Sequence, residues 1–151
     1  MSRELGVYAK MLAWLHTPAK DQAKSRIDHL ETEEAIVERL PNVEPFDYMV
    51  GLFSDVGMAI NTGNGLTPLS WQELDCFTKN TGISLTAWEA RTIREMSAKY
   101  ASGVVRYTNQ NVQAPFQSDK EKERVADTMK SALRGMVIKG KDGLSRNQNK
   151  G

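Results

Sequence analysis

Apolar residues recur along this chain at helical intervals almost from end to end. Between Arg3 and Leu15, one stripe is formed by Leu5, Tyr8, Leu12 and Leu15 and another by Val7, Met11 and Trp14. The segment predicts a helix that is apolar nearly all round, which needs cover from its own domain or from a partner. Thr17-Pro18 ends it, because the residue before a proline is pushed out of helical backbone. From about Ala19 to Leu40 the pattern predicts a second, mostly polar helix with Ile27, Leu30, Val37 and Leu40 as a thin apolar stripe. Pro41 and Pro45 bracket a short connection. Phe46, Met49, Phe53, Val56 and Ile60 then fall on one face of a third predicted helix, over 46–60. Gly51 and Gly57 weaken it by roughly 1 kcal/mol each against alanine. Asn61-Thr62-Gly63-Asn64-Gly65 reads as a flexible loop.

The strongest local signals come next. Leu69-Ser70-Trp71-Gln72-Glu73 and Leu85-Thr86-Ala87-Trp88-Glu89 are two helix starts in tandem. In each, the Ser or Thr hydroxyl can accept from the backbone N–H three residues on, and the Glu there can reach back. Leu69 and Leu74 stand where a hydrophobic staple closes over the first turn. Gly82, after Asn80-Thr81, tolerates the left-handed backbone that ends a helix. An αα-hairpin over about 70–80 and 86–102 follows, with a tryptophan in the first turn of each helix and Ala90, Ile93, Met96 or Ser97, and Tyr100 facing inward. Gly103 is expected to end or kink the second helix, and Tyr107 to Phe116 to be coil. Ser118-Asp119-Lys120-Glu121 is a third start signal, for a helix whose apolar stripe is Val125, Met129, Ala132, Leu133 and Met136. Lys139 to Gly151 shows no periodicity and reads as a disordered tail. Gly103–Tyr107 is the one β-branched run, and it is too short to predict a strand.

The expected fold is therefore all-α: one domain of about six helices over 1–138, with a flexible tail over 139–151. Its parts are an N-terminal helical pair (1–40), a central region (46–116) and a C-terminal helix (118–138).

Charge and composition narrow the function classes. With 20 basic and 19 acidic residues the net charge is +1, so nothing calls for a nucleic-acid or anionic-membrane partner. No apolar run approaches the ~18 residues of a membrane span. The start Met1-Ser2-Arg3-Glu4 lacks a signal peptide's uninterrupted apolar stretch, and Cys76 alone forms no intrachain disulfide. An intracellular protein is expected, with Cys76 a small apolar residue on a helix.

Candidate chemistry adds little. His16 and His29 lie in different segments, and neither sits beside a Cys or His at metal-ligand spacing, so no metal site or cofactor is expected. Glu31, Glu33 and Glu34 share their segment with Lys24, Arg26 and Arg39 and read as a solvated charged face. Gly63-Asn64-Gly65 lacks the frame of a phosphate-binding loop. No nucleophile elbow, Cys/His pairing or aspartate dyad emerges, which argues against an enzyme. As a DNA-reading helix–turn–helix, the hairpin would turn Ala87, Trp88, Arg91, Thr92, Arg94 and Glu95 to a groove. Its two arginines are countered by Glu89 and Glu95, and phosphate neutralisation, on which DNA affinity rests, is missing.

Phe46-Asp47-Tyr48-Met49-Val50-Gly51-Leu52-Phe53, Asn61 to Gly65, and Leu69 to Leu74 together resemble a family of small tailed-bacteriophage proteins. So do Thr81-Gly82, Leu85 to Ala90, Ile93 to Tyr100, and Ala114-Pro115-Phe116. The family is described as tail-assembly-chaperone-like, encoded near the tail-tube and tape-measure proteins. The resemblance spans Phe46 to Phe116, about half the chain. It implies a non-enzymatic role in tail morphogenesis, in the host cytoplasm, binding a tape-measure or tail-tube subunit and with homo-oligomers an open question. Two rivals are a virion component, such as a connector or tube-associated subunit, and a small DNA-binding regulator. A chaperone covers apolar surface reversibly. The residues expected to do so are Trp71, Trp88 and Tyr100 of the hairpin and Tyr8, Met11 and Trp14 of the first helix. The seven methionines suit varied partners. For Trp71 and Trp88, ordinary core or half-buried packing is the competing reading.

Overall fold

The computed structural model describes residues 3–146, with the side chains of all of these except 121, 125 and 137–146. Among them it is mostly helical, with one two-stranded sheet. The chain divides into two compact units, Met1–Phe116 and Gln117–Gly151, where the sequence reads a single domain over 1–138.

In the first unit, α1 (Arg3–Leu15) occupies the bounds its pattern predicts. The Thr17 hydroxyl donates to the Ala13 and Trp14 carbonyls at 2.9 and 3.1 Å, so the last turn is satisfied before Pro18 diverts the chain. The helix expected over 19–40 does not form. Pro18 pairs with Ser25 in an isolated antiparallel bridge, a single 3₁₀ turn covers Ile27–His29, and Thr32 caps the short α2 (Glu33–Val37). A thin apolar stripe offers such a segment little burial to set against the entropy of ordering it. Its polar side chains find backbone partners instead.

The core lies under α3 (Tyr48–Asp55), whose Met49 and Phe53 are fully buried. This helix stops short of the expected 46–60 span. Gly57 and Met58 turn left-handed at φ 98° and 55°, and Ile60 passes into a strand. The strand β1 (Ile60–Asn61) pairs antiparallel with β2 (Leu66–Thr67), Ile60 opposite Thr67, so the loop at 61–65 is the tip of a small hairpin. Helices α4 (Trp71–Thr81) and α5 (Ala87–Tyr107) start at the predicted caps, the box closing in both directions at Thr86 while at Ser70 the hydroxyl accepts from Glu73 N–H, and Gly82 at φ 73° closes α4.

The long helix α5 packs chiefly along α1, then on α3 and β2. Leu5, Ala9 and Leu12 of α1 meet Met49 and Phe53 of α3, Ile93 and Met96 of α5, and Leu69, Leu74 and Val43 in one apolar cluster. Gly103 does not end α5, which runs on to Tyr107. The β-branched run at 103–107 stays helical, and Gly103 lets α1 lie close: a Cβ there would stand 2.7 Å from that of Ala13.

The second unit is α6 (Asp119–Arg146). Its backbone remains helical past 138, where the sequence reads a tail; Lys, Leu and Arg favour helix and no proline intervenes. Residues 147–151 of that expected tail lie outside the described residues.

Candidate interaction surface

Trp71 is held at the first position of α4 by what precedes it. The Ser70 hydroxyl accepts from the Glu73 N–H at 3.2 Å, and Leu69 and Leu74 are both buried as the staple requires. Leu69 is pinned twice across to α5: its N–H donates to the Ser97 hydroxyl at 2.8 Å and its carbonyl accepts from Arg94 Nε at 3.2 Å. That bond lays the Arg94 guanidinium 4.3 Å from the Trp71 ring centroid, covering one face of the indole. The side chain is nonetheless 51% exposed.

Trp88 stands in the first turn of α5, behind a capping box closed in both directions. Thr86 N–H donates to Glu89 Oε2 at 2.7 Å, and Glu89 N–H to Thr86 Oγ1 at 3.2 Å. Phe46 packs on Trp88 with ring centroids 5.2 Å apart and planes tilted by 41°. Trp88 keeps 38% of its surface and Tyr48 keeps 49%. The Thr86 amide and hydroxyl bonds hold the Glu89 carboxyl below its ordinary range, with a smaller contribution from a bond to the Tyr48 hydroxyl. Tyr48 is shifted up, by desolvation and then by that carboxylate. Each tryptophan thus has its own support: a cation for Trp71, an aromatic ring for Trp88.

Of the other four expected contact residues, Met11 is buried and Tyr8, Trp14 and Tyr100 are part-buried. Met11 is 1% exposed and packs inside the unit, so it offers a partner no surface. The apolar all-round character of α1 is answered by its own domain. Trp14 is partly buried, its Nε1–H donating to the Val112 carbonyl at 2.8 Å. Tyr8 packs against the core cluster, and burial raises its pKa. Tyr100 bonds to His16 Nδ1 through its hydroxyl at 2.9 Å and sets its ring edge-on to Phe53.

Two exposed features escaped the sequence reading. Tyr48 opens α3, and an aromatic residue at a helix start gives no sign of whether it points in or out. On α6, Met129, Leu133 and Met136 are 65%, 63% and 70% exposed. Their stripe is plain in the sequence, but a stripe does not disclose whether anything covers it.

Among the described residues, no group of three His, Cys, Asp or Glu side chains could hold a metal ion, and no helix is long and apolar enough to cross a membrane. Cys76 is exposed, not packed as a small apolar residue. Of the residues a DNA-reading hairpin would turn outward, Thr92 is buried and Arg94 is bonded to Leu69. No family model matches the chain, and neither a curated protein nor a solved structure is similar enough to it to count as a match.

Proposed function

We propose that this chain is a non-enzymatic, chaperone-like tail-assembly protein of a tailed bacteriophage, binding the tape-measure or tail-tube subunit through the aromatic residues that open α4 and α5. The observation that carries the reading is the pair Trp71 and Trp88, both on rigidly capped helix starts and both with much of their surface open. Trp is enriched where a few residues dominate binding energy, and a pre-ordered side chain loses less entropy on docking. The resemblance over Phe46 to Phe116 supplies the assembly context. The exposed stripe of α6 adds apolar surface of the kind such a protein needs.

The test is recovery of a tagged chain from infected cells, with purified virions analysed in parallel by mass spectrometry. Tape-measure or tube protein on the tagged chain, and its absence from virions, is the expected result. Stoichiometric presence in virions would replace the chaperone with a structural component. Trp71→Ala and Trp88→Ala variants that fold and still bind normally would remove the surface assignment.

A further inference from the structure

The loop that joins β1 to β2 holds two asparagines in opposite situations. Asn61 is tied at both ends of its local chemistry. Its Oδ1 accepts from the Gly63 N–H at 2.9 Å, and the amide that follows it, Thr62 N–H, donates to the Gly65 carbonyl at 3.0 Å. Asn64 is tied at neither. Its carboxamide has no hydrogen-bond partner among the described residues, and neither has the Gly65 N–H that follows it. Both residues are exposed. Gly65 stands at φ 134°, and no heavy atom beyond its chain neighbours lies within 4 Å of where a Cβ would be, so nothing crowds the peptide there. Asn64 is also the one asparagine in the chain that a glycine follows.

We propose that Asn64-Gly65 is a self-modifying site, at which Asn64 is hydrolysed through a cyclic imide to an aspartyl or isoaspartyl residue. The Gly65 nitrogen gives up its proton and attacks Asn64 Cγ. The N–Cγ bond forms, the Cγ–Nδ2 bond breaks, and ammonia leaves carrying that proton. Water then opens the imide. Opening at the side-chain carbonyl gives aspartate, and opening at the main-chain carbonyl gives isoaspartate, whose main chain is longer by one carbon. The reacting groups belong to adjacent residues, so proximity replaces a catalyst. The new carboxylate takes the net charge of the chain from +1 to zero. The lengthened main chain falls inside a hairpin in which Ile60 faces Thr67 and Asn61 faces Leu66. The site is separate from the tryptophan-bearing helix starts and stands whether or not the assembly role does.

The full-length chain, incubated at neutral to mildly alkaline pH and sampled by peptide mass spectrometry, tests this. An isoaspartyl-directed methyltransferase with labelled S-adenosylmethionine reports the isoaspartyl product. A synthetic peptide of residues 58–69 sets the rate of the unconstrained sequence. Position 64 of the folded chain is expected to convert within about tenfold of the peptide's rate, because neither reacting group has to be released from a bond first. The rate should rise with pH, as the attacking nitrogen loses its proton more often, and Asn61 should stay intact in the same sample. Asn64→Gln keeps the carboxamide but needs a larger ring, and should cut conversion at least about tenfold. Conversion at position 64 slower than the stated limit, a rate indifferent to pH, equal conversion of Asn61, or an N64Q variant that converts as fast would each overturn the proposal.

Discussion

Gly103 and Ala13 bring α5 and α1 so close that a methyl group added to the glycine would stand 2.7 Å from the alanine's own. The ring of Tyr107 lies 3.3 Å from the same point, so the space is closed on two sides. Gly103→Ala should therefore destabilise the protein by about 1–3 kcal/mol, the usual cost of overpacking, despite alanine's better helix propensity. Urea unfolding of G103A, and of G103A combined with Ala13→Gly, checks it. The double variant should recover part of the loss, since the two sites touch.

Two buried hydroxyls on α5 make opposite predictions. Ser97 accepts the Leu69 N–H in the interior, and Ser97→Ala leaves that amide without its partner, at a cost of about 1–3 kcal/mol.

Thr92 is as deeply buried, but its hydroxyl has no hydrogen-bond partner among the described residues. Thr92→Val keeps the shape and removes the desolvated oxygen, so a gain of about 1 kcal/mol is expected from the same unfolding assay.

The Arg26 guanidinium joins two stretches distant in sequence. It donates to the Trp14 and Thr17 carbonyls at the end of α1 and to those of Tyr107 and Gln110 at the end of α5. A cation suits the negative end of a helix dipole, and here it meets two such ends. Arg26→Met should cost about 1.5–3 kcal/mol, the range for hydrogen bonds to a charged group. Amide exchange in the segments around Thr17 and Gln110 should quicken together, and quickening in one alone would refute the joint.

His16, bonded to Tyr100, introduces a pH dependence. Burial favours the neutral imidazole and lowers its pKa from the ordinary 6.5, while the charge of Asp28 works weakly the other way. As pH falls, the unfolded chain takes up this proton first. The stability contributed by His16 is thus complete above pH 6.5 and is lost as pH drops from there through the lower folded value. Unfolding midpoints measured from neutral pH to about pH 5 should fall, and His16→Phe should flatten that slope. The carboxyl of Glu89, held low, acts in a more acidic window, below its ordinary 4.5.

The helix starts at Ser70 and Thr86 were legible because a capping hydroxyl and the N–H it accepts lie within four consecutive residues. Gly103 was not. A glycine that terminates a helix and one that admits a neighbouring helix look alike until the neighbour is known, and Ala13 lies far away in sequence. The segment 19–40 failed for a related reason: Arg26 looks like part of a solvated helix face, yet its partners include carbonyls 81 and 84 residues away. At the candidate surface, Trp71 and Trp88 were visible as anchors by type and position. That Met11 turns inward while Tyr48 turns outward depends on which helices meet, which local spacing does not encode.

The pairing of α1 with α5 also has a consequence in time. A ribosome releases α1 first, while its main partner, joined to it by contacts such as His16 to Tyr100 across 84 residues, comes late in the unit. Until then the apolar face of α1 lacks its main cover, with long-range closure still ahead of it. For a nascent chain this is the interval of greatest exposure to aggregation, and it ends only when α5 has emerged.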